Sequence, residues 1–292
     1  MNSDGQPLPI SWRSVRDGVY VTTLEPAGAN CGLIVGTSGA VLIDTGSSPA
    51  QGTALRESIA LLTDVPLRSV VVTHHHWDHA YGLGAFADVE TIGHESLAET
   101  LLSEGARTAA AEHGLSPADV VVPSATIAII AARDLGGIHV EIGYFGAAHT
   151  GGDLAVLVPE ARVLFAGDIV EQSGPPQIDE TTSLQNWPRV MEALLTLCKE
   201  DTIVVPGHGE DVDPHFISWQ GTGLDAVHGQ CEWLVTQGVR EPDAYAHPDL
   251  QWPWDEEWVR TAIAHAYAEL AGQGRTVRRP LLIAERRPPE AT

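Results

Sequence analysis

The densest chemistry in the chain lies in Thr73-His74-His75-His76-Trp77-Asp78-His79-Ala80, where His74, His76, Asp78 and His79 form an H-x-H-x-D-H pattern. Imidazole nitrogens and a carboxylate oxygen are what Zn²⁺ or Fe²⁺ takes when thiolates are absent. Four such groups in so short a span supply ligands to more than one ion. In an extended segment alternate residues share a face, so His74, His76 and Asp78 are expected to converge while His75 and Trp77 point away. His79 would turn back as the strand gives way to a loop. Histidine tags also bunch this residue, but they sit at termini and do not interpose Asp.

Three further candidates each end an apolar run: His149 in GAAHTGGD, Asp168 in VLFAGD and His208 in VVPGHGE. Strand ends are where an open sheet presents functional groups. Small residues beside them, Ala148, Gly151, Gly167, Gly207 and Gly209, let the backbone approach a shared centre closely. The three cysteines, Cys31, Cys198 and Cys231, are widely spaced and form no C-x-x-C pair, so neither a disulfide framework nor a thiolate zinc knuckle is indicated. They read as buried apolar fillers.

The elements that must carry these residues show as short β-branched runs between Gly or Pro turns. Strands are expected at Val19 to Leu24, Cys31 to Val35, Ala40 to Ile43, Leu67 to Thr73 and Glu90 to Ile92. A second series follows at Thr126 to Ala131, His139 to Phe145, Leu154 to Val158, Arg162 to Ala166 and Thr202 to Val205, with a hairpin turn at Pro159-Glu160-Ala161. Helices are expected at Pro49 to Leu62, Glu95 to Glu112 and Trp187 to Cys198. Two sets of strands, each followed by helices, fit two sheets packed face to face with helices outside, a four-layer α/β arrangement. From Pro214 the strands stop. Helices at Leu224 to Gln237 and Asp255 to Leu270 flank a loop rich in Trp and Pro, and Glu256 and Glu257 complement the positive end of the second helix. The expected organisation is a catalytic domain over 1–213 and a C-terminal helical extension over 214–292 packed on it.

Composition narrows the partners. The 292 residues carry 16 Lys plus Arg against 39 Asp plus Glu, a net charge of −23, which repels nucleic acid and anionic membrane surfaces alike. No stretch approaches the ~18 consecutive apolar residues of a spanning helix, and MNSDGQPLPISW has neither a basic nor an apolar leader region, so a cytoplasmic location is expected. The partner that remains is a small-molecule substrate. Five of the eight tryptophans fall between Trp219 and Trp258, so the helical extension is expected to cover the mouth of the metal site or to form a homodimer contact. Arg278, Arg279, Arg286 and Arg287 lie in a Pro-rich tail expected to be mobile, and could grip an anion only if it folds back.

The order Asp44-Thr45-Gly46, H-x-H-x-D-H, His-Thr-Gly-Gly, Gly-Asp and Pro-Gly-His-Gly resembles the metallo-β-lactamase superfamily over about Val19 to Gly209, and its glyoxalase-II-like hydrolase branch most. The resemblance implies an αββα sandwich with a two-zinc site: His74, His76 and His149 on one metal, Asp78, His79 and His208 on the other, and Asp168 bridging both. It gives Asp44 the role of an acid that buttresses the ligand loop. Ala148 departs from the Gly many members have before the His. Antibiotic-cleaving members with a metal-binding Cys have it where this chain has Asp168, oxygen-reducing members usually have Glu where His76 stands, and RNA-processing members need basic exosites that this chain lacks beside its metal motifs.

Two ions ~3.5 to 4 Å apart acidify a shared water, which suits attack by a bridging hydroxide on an ester, thioester, lactone or amide. Asp78 would orient that hydroxide as well as bind metal. The alternatives from other reaction classes are a mononuclear Fe²⁺ persulfide dioxygenase using His74, His149 and Asp168, and a two-metal phosphodiesterase. Trp77, Tyr81, Phe145, the loop from Gln172 to Ile178, and His215, Phe216 and Trp219 are candidates to line the pocket. Tyr81 is expected either to donate to a developing oxyanion or to anchor its loop.

Overall fold

Side chains alternate faces along a strand, and here both faces of the first sheet are apolar. The computed structural model describes residues 10–277, so the tail arginines Arg278, Arg279, Arg286 and Arg287 lie outside the described residues. Twelve strands form: β1 Arg13–Arg16, β2 Val19–Leu24, β3 Ala29–Val35, β4 Ala40–Ile43, β5 Leu67–Val71, β6 Glu90–His94, β7 Ala125–Ile127, β8 Ile130–Asp134, β9 His139–Tyr144, β10 Leu154–Val158, β11 Val163–Glu171 and β12 Ile203–His208. They run in the order β7-β6-β5-β4-β3-β12-β11-β10-β9-β8, with β2 also on β3 and β1 on β2. The halves meet at a single register pair, His208 with Ala29, reinforced by Asn30 Nδ2, which donates to Pro206 O at 3.0 Å and Gly209 O at 2.9 Å.

Ile34, Val41, Ile43 and Val71 from the first half pack with Val140, Ile142, Leu154, Val156, Phe165 and Val205 from the second. The residues between them in sequence, Leu33, Leu42, Val70 and Val72, face the other way, against Leu55 and Ile59 of helix α1, Pro49–Leu62. On the outside of the second half, Trp187 of α5, Trp187–Leu197, and Gln220 of α6, Pro214–Thr236, both donate to Ile169 O, at 2.9 and 3.0 Å. Helix, sheet, sheet and helix are therefore stacked, the four layers that the sequence implies. Short helices α2, Trp77–Ala80, α3, Leu97–Leu101, and α4, Glu104–Glu112, precede β7.

Several boundaries differ from the sequence reading. The helix expected over Glu95 to Glu112 breaks at Ser103, whose Oγ accepts from Ala106 N at 3.1 Å and so starts a new helix. The strand expected over Thr126 to Ala131 is two strands, β7 paired with β6 and β8 paired with β9. Cys31 and Cys231 are buried as expected, whereas Cys198 is only partly so and ends α5.

The described chain divides into compact units after Asp225, inside α6. The second unit contains the rest of α6, α7, Glu241–Ala244, and α8, Glu256–Gly272. Asp255 caps α8 by accepting from Trp258 N at 3.0 Å, with Glu256 and Glu257 in the first turn. Among the described residues no helix is long and apolar enough to cross a membrane.

Candidate metal centre

Strand direction brings the candidates to one edge. β4 is parallel to β5, and β11 to β12; β9 and β11 are both antiparallel to β10, and β4 and β12 both antiparallel to β3. The C-terminal ends of β4, β5, β9, β11 and β12 therefore point the same way, carrying Asp44, the histidine motif, His149, Asp168 and His208. Asp168 lies inside β11, where the ladder to β12 shifts register around Gly167, a bulge that re-aims the side chain. The histidine motif itself is not extended. β5 ends at Val71, and Trp77–Ala80 coil into a helical turn, which corrects the expected alternation and separates His74 and His76 from Asp78 and His79.

Two groups result. His76 Nδ1 stands 3.1 Å from His74 Nε2 and 2.9 Å from His149 Nε2. His208 Nε2 stands 3.3 Å from His79 Nε2 and 3.2 Å from Asp78 Oδ2. Asp168 faces both: Oδ2 is 3.5 Å from His74 Nε2, 3.5 Å from His149 Nε2 and 3.6 Å from His208 Nε2, while Oδ1 is 3.2 Å from His79 Nε2. The seven residues fall into clusters able to hold metal, His74, His76, His149 and Asp168 in one and Asp78, His79 and His208 in the other. Both groups fit a divalent cation. Asp168 Oδ1 is buried and accepts no well-formed hydrogen bond, with only His79 Nε2 facing it at 3.2 Å, which suits a carboxylate that takes a cation.

Behind the histidines, partners fix which nitrogen carries the proton. Asp44, buried, accepts from Thr73 N at 2.7 Å, Thr73 Oγ1 at 2.8 Å and His79 Nδ1 at 2.8 Å. Having given its own proton to Asp44, Thr73 Oγ1 accepts from His74 Nδ1 at 3.0 Å. His149 Nδ1 donates to Gln177 O at 3.0 Å, and His76 Nε2 to Asp179 Oδ2 at 2.9 Å. The nitrogens left over all face the centre. Burial holds His74 well below the ordinary imidazole range and His149 at about 4, so both offer lone pairs. Burial also opposes a proton on His79 and His208, but Asp168 and Asp78 outweigh it, raising His79 well above its usual range and His208 to about 10. In the metal-free chain, protons thus occupy the second group where a cation would sit.

A cleft of about 370 Å³ opens onto the centre, lined by Ala27, His76, Trp77, Asp78, Asp168, Ser173, Gln177 and His208. Of the expected pocket residues, Trp77, Ser173 and Gln177 line it; Phe145, His215, Phe216 and Trp219 do not. Tyr81 is buried and donates to Ala106 O at 3.1 Å, so the structure corrects the oxyanion-donor expectation in favour of loop anchoring. Sequence reasoning missed the supports Thr73, Gln177 O and Asp179. Thr73 was the only one with a signal, standing next to the first ligand. It also missed the stack of Trp77 on His113, centroids 3.8 Å apart.

Residues 24–208 match the Metallo-beta-lactamase superfamily, a span that takes in every one of the seven candidate ligands. The chain belongs to that superfamily. Membership places it among metal-dependent hydrolases. It is 24% identical over 199 residues to the metallo-beta-lactamase IND-1 of Chryseobacterium indologenes, covering 67% of this chain and 74% of that one. It is 32% identical over 145 residues to a hydroxyacylglutathione hydrolase of Ruegeria pomeroyi, about half of each chain at 49% and 48%. A solved metallo-beta-lactamase from Pontibacter korlensis shares the fold, with a TM-score of 0.62 at 24% identity over 74% of this chain and 99% of that one.

Proposed function

We propose that this chain is a two-zinc hydrolase that cleaves an ester, thioester, lactone or amide bond of a small molecule. The observation that carries the reading is the placement of Asp168 between the two groups, its carboxylate within 3.6 Å of His74, His149, His79 and His208. His74, His76 and His149 would hold one zinc, Asp78, His79 and His208 the other, and Asp168 both. Bound there, the two ions would supply Lewis acidity toward a carbonyl oxygen and acidify water. The chain supplies the rest. Asp78 reaches the cleft and orients the attacking water, while Trp77 and Gln177 form walls against which an acyl group packs. Ser173, although in the cleft, commits its hydroxyl to Glu171 Oε1 at 2.7 Å and is not assigned a nucleophile's role. The relatives named for hydroxyacylglutathione and β-lactam hydrolysis support acyl chemistry as the class.

The test is metal content and activity together. Protein purified without chelator from zinc- and iron-replete medium should carry about two zinc per chain and hydrolyse members of a panel of aryl esters, thioesters and lactones. Asp168→Ala should lose hydrolysis and about one equivalent of metal together. About one iron with little zinc, and oxygen uptake with a persulfide, would overturn the reading in favour of a mononuclear Fe²⁺ dioxygenase.

A further inference from the structure

The first group contains an asymmetry that its residues alone do not explain. His74 and His149 turn Nε2 to the centre, whereas His76 turns Nδ1. A histidine that presents Nδ1 as a lone pair must carry its proton on Nε2, and something must receive that proton's hydrogen bond. Asp179 Oδ2 does so at 2.9 Å, with His75 Nε2 a further 3.5 Å neighbour of the same oxygen. The other oxygen is already occupied. Asp179 Oδ1 accepts from Thr181 N at 2.6 Å and Thr181 Oγ1 at 2.9 Å, which closes a turn and fixes the carboxylate's orientation.

We propose that Asp179 is a positioning residue that fixes the tautomer of His76, so that the loop from Gln177 to Thr182 sets how tightly the first metal is held. The loop grips this group at three points: Asp179 on His76, Gln177 O on His149 Nδ1 at 3.0 Å, and Thr182 Oγ1 on His149 O at 2.7 Å. Gln177 also lines the cleft. The segment that shapes the pocket is therefore the one that aligns two of the three histidines, and displacing it loosens the metal without touching a ligand. The inference rests on reading His74, His76, His149 and Asp168 as a metal position, not on which bond is hydrolysed.

Asp179→Asn tests it with almost no change of shape. The two Thr181 donors hold the amide oxygen where Oδ1 was, so the amide nitrogen falls opposite His76 Nε2, donor against donor. His76 then moves its proton to Nδ1, toward the centre, and the first group loses a lone pair. Zinc affinity, measured on the full chain by competition with a chromogenic chelator, should fall about 10- to 100-fold at one of two sites. The other site and the melting temperature of the chelator-treated protein should be unchanged. Thr181→Val, which removes one of the two donors that orient the carboxylate but keeps Thr181 N and the His76 contact, should lower affinity at the same site by less than Asp179→Asn does. Two sites of wild-type affinity in Asp179→Asn, or a lowered melting temperature with affinity unchanged, would overturn the assignment. A wild-type chain that binds no zinc would instead sink the metal reading beneath it.

Discussion

One methyl group added to a residue that is not itself a candidate ligand, but lies beside Asp168, should loosen both metal positions. An ideal Cβ on Gly207 would stand 1.7 Å from Asp168 Oδ1 and 2.9 Å from Asp168 N. Carbon and oxygen in ordinary contact lie about 3.3 Å apart, so something must shift by roughly 1.5 Å. Residue 207 is held in β12, which is paired with β11, so the Asp168 side chain is the softer partner and rotates away. That movement degrades both groups at once, because Asp168 faces both. In Gly207→Ala, zinc affinity at both sites should fall about 10- to 100-fold, and overpacking should cost about 1–3 kcal/mol of stability. Chelator competition and thermal melting measure the two effects. Gly151→Ala is the control: it lies two residues from a candidate ligand, His149, yet an added Cβ meets nothing within 4 Å, and it should be neutral. If Gly207→Ala keeps two zinc at wild-type affinity, the crowding of Asp168 is not what positions it.

Tyr81→Phe should lose the bond to Ala106 O, about 1 kcal/mol of stability, with kcat unchanged; a tenfold fall in kcat would restore Tyr81 to the chemistry. The metal-free chain should also be pH-sensitive. His208 is raised to about 10, burial opposing the proton and Asp168 and Asp78 outweighing it, while the unfolded chain releases that proton near 6.5. The folded form binds the extra proton between those values, so its contribution is complete below about pH 6.5 and lost as pH rises toward about 10. Denaturant unfolding with chelator present should show stability falling between pH 6.5 and 9, and a rise would refute the assignment.

The candidate ligands were legible as such because each is a metal-binding residue type placed at or just beyond the end of an apolar run. Val19–Leu24, Ala40–Ile43 and Leu154–Val158 were legible for the same reason: short β-branched runs between turn residues. What supports the ligands was not. Asp179 reaches His76 across 103 positions from an irregular loop, and Gln177 acts through its main-chain carbonyl, which no side-chain pattern reveals. The start of α6 was read too late, at Leu224 instead of Pro214, because Gly221 and Gly223 suggest a break. In the structure α6 runs unbroken through Gly221, where an added Cβ would only touch Met191 at 3.4 Å. The split of Thr126 to Ala131 into two strands was hidden because both share one apolar, β-branched run.

The single pairing of His208 with Ala29 has a consequence for how the molecule comes into being. The halves of the sandwich close across 179 positions of chain, a late and slow event by the logic of loop closure. The strand that closes them ends in a candidate metal ligand. During synthesis, neither the seam nor the second metal group can be complete until residue 208 has left the ribosome. Any ion captured by His79, Asp78 and His208 then acts as a latch on the seam, binding the closed form and not the open one, and drawing the folding equilibrium toward it. Metal supply in the growing cell would thereby govern how much chain matures as well as how active it is.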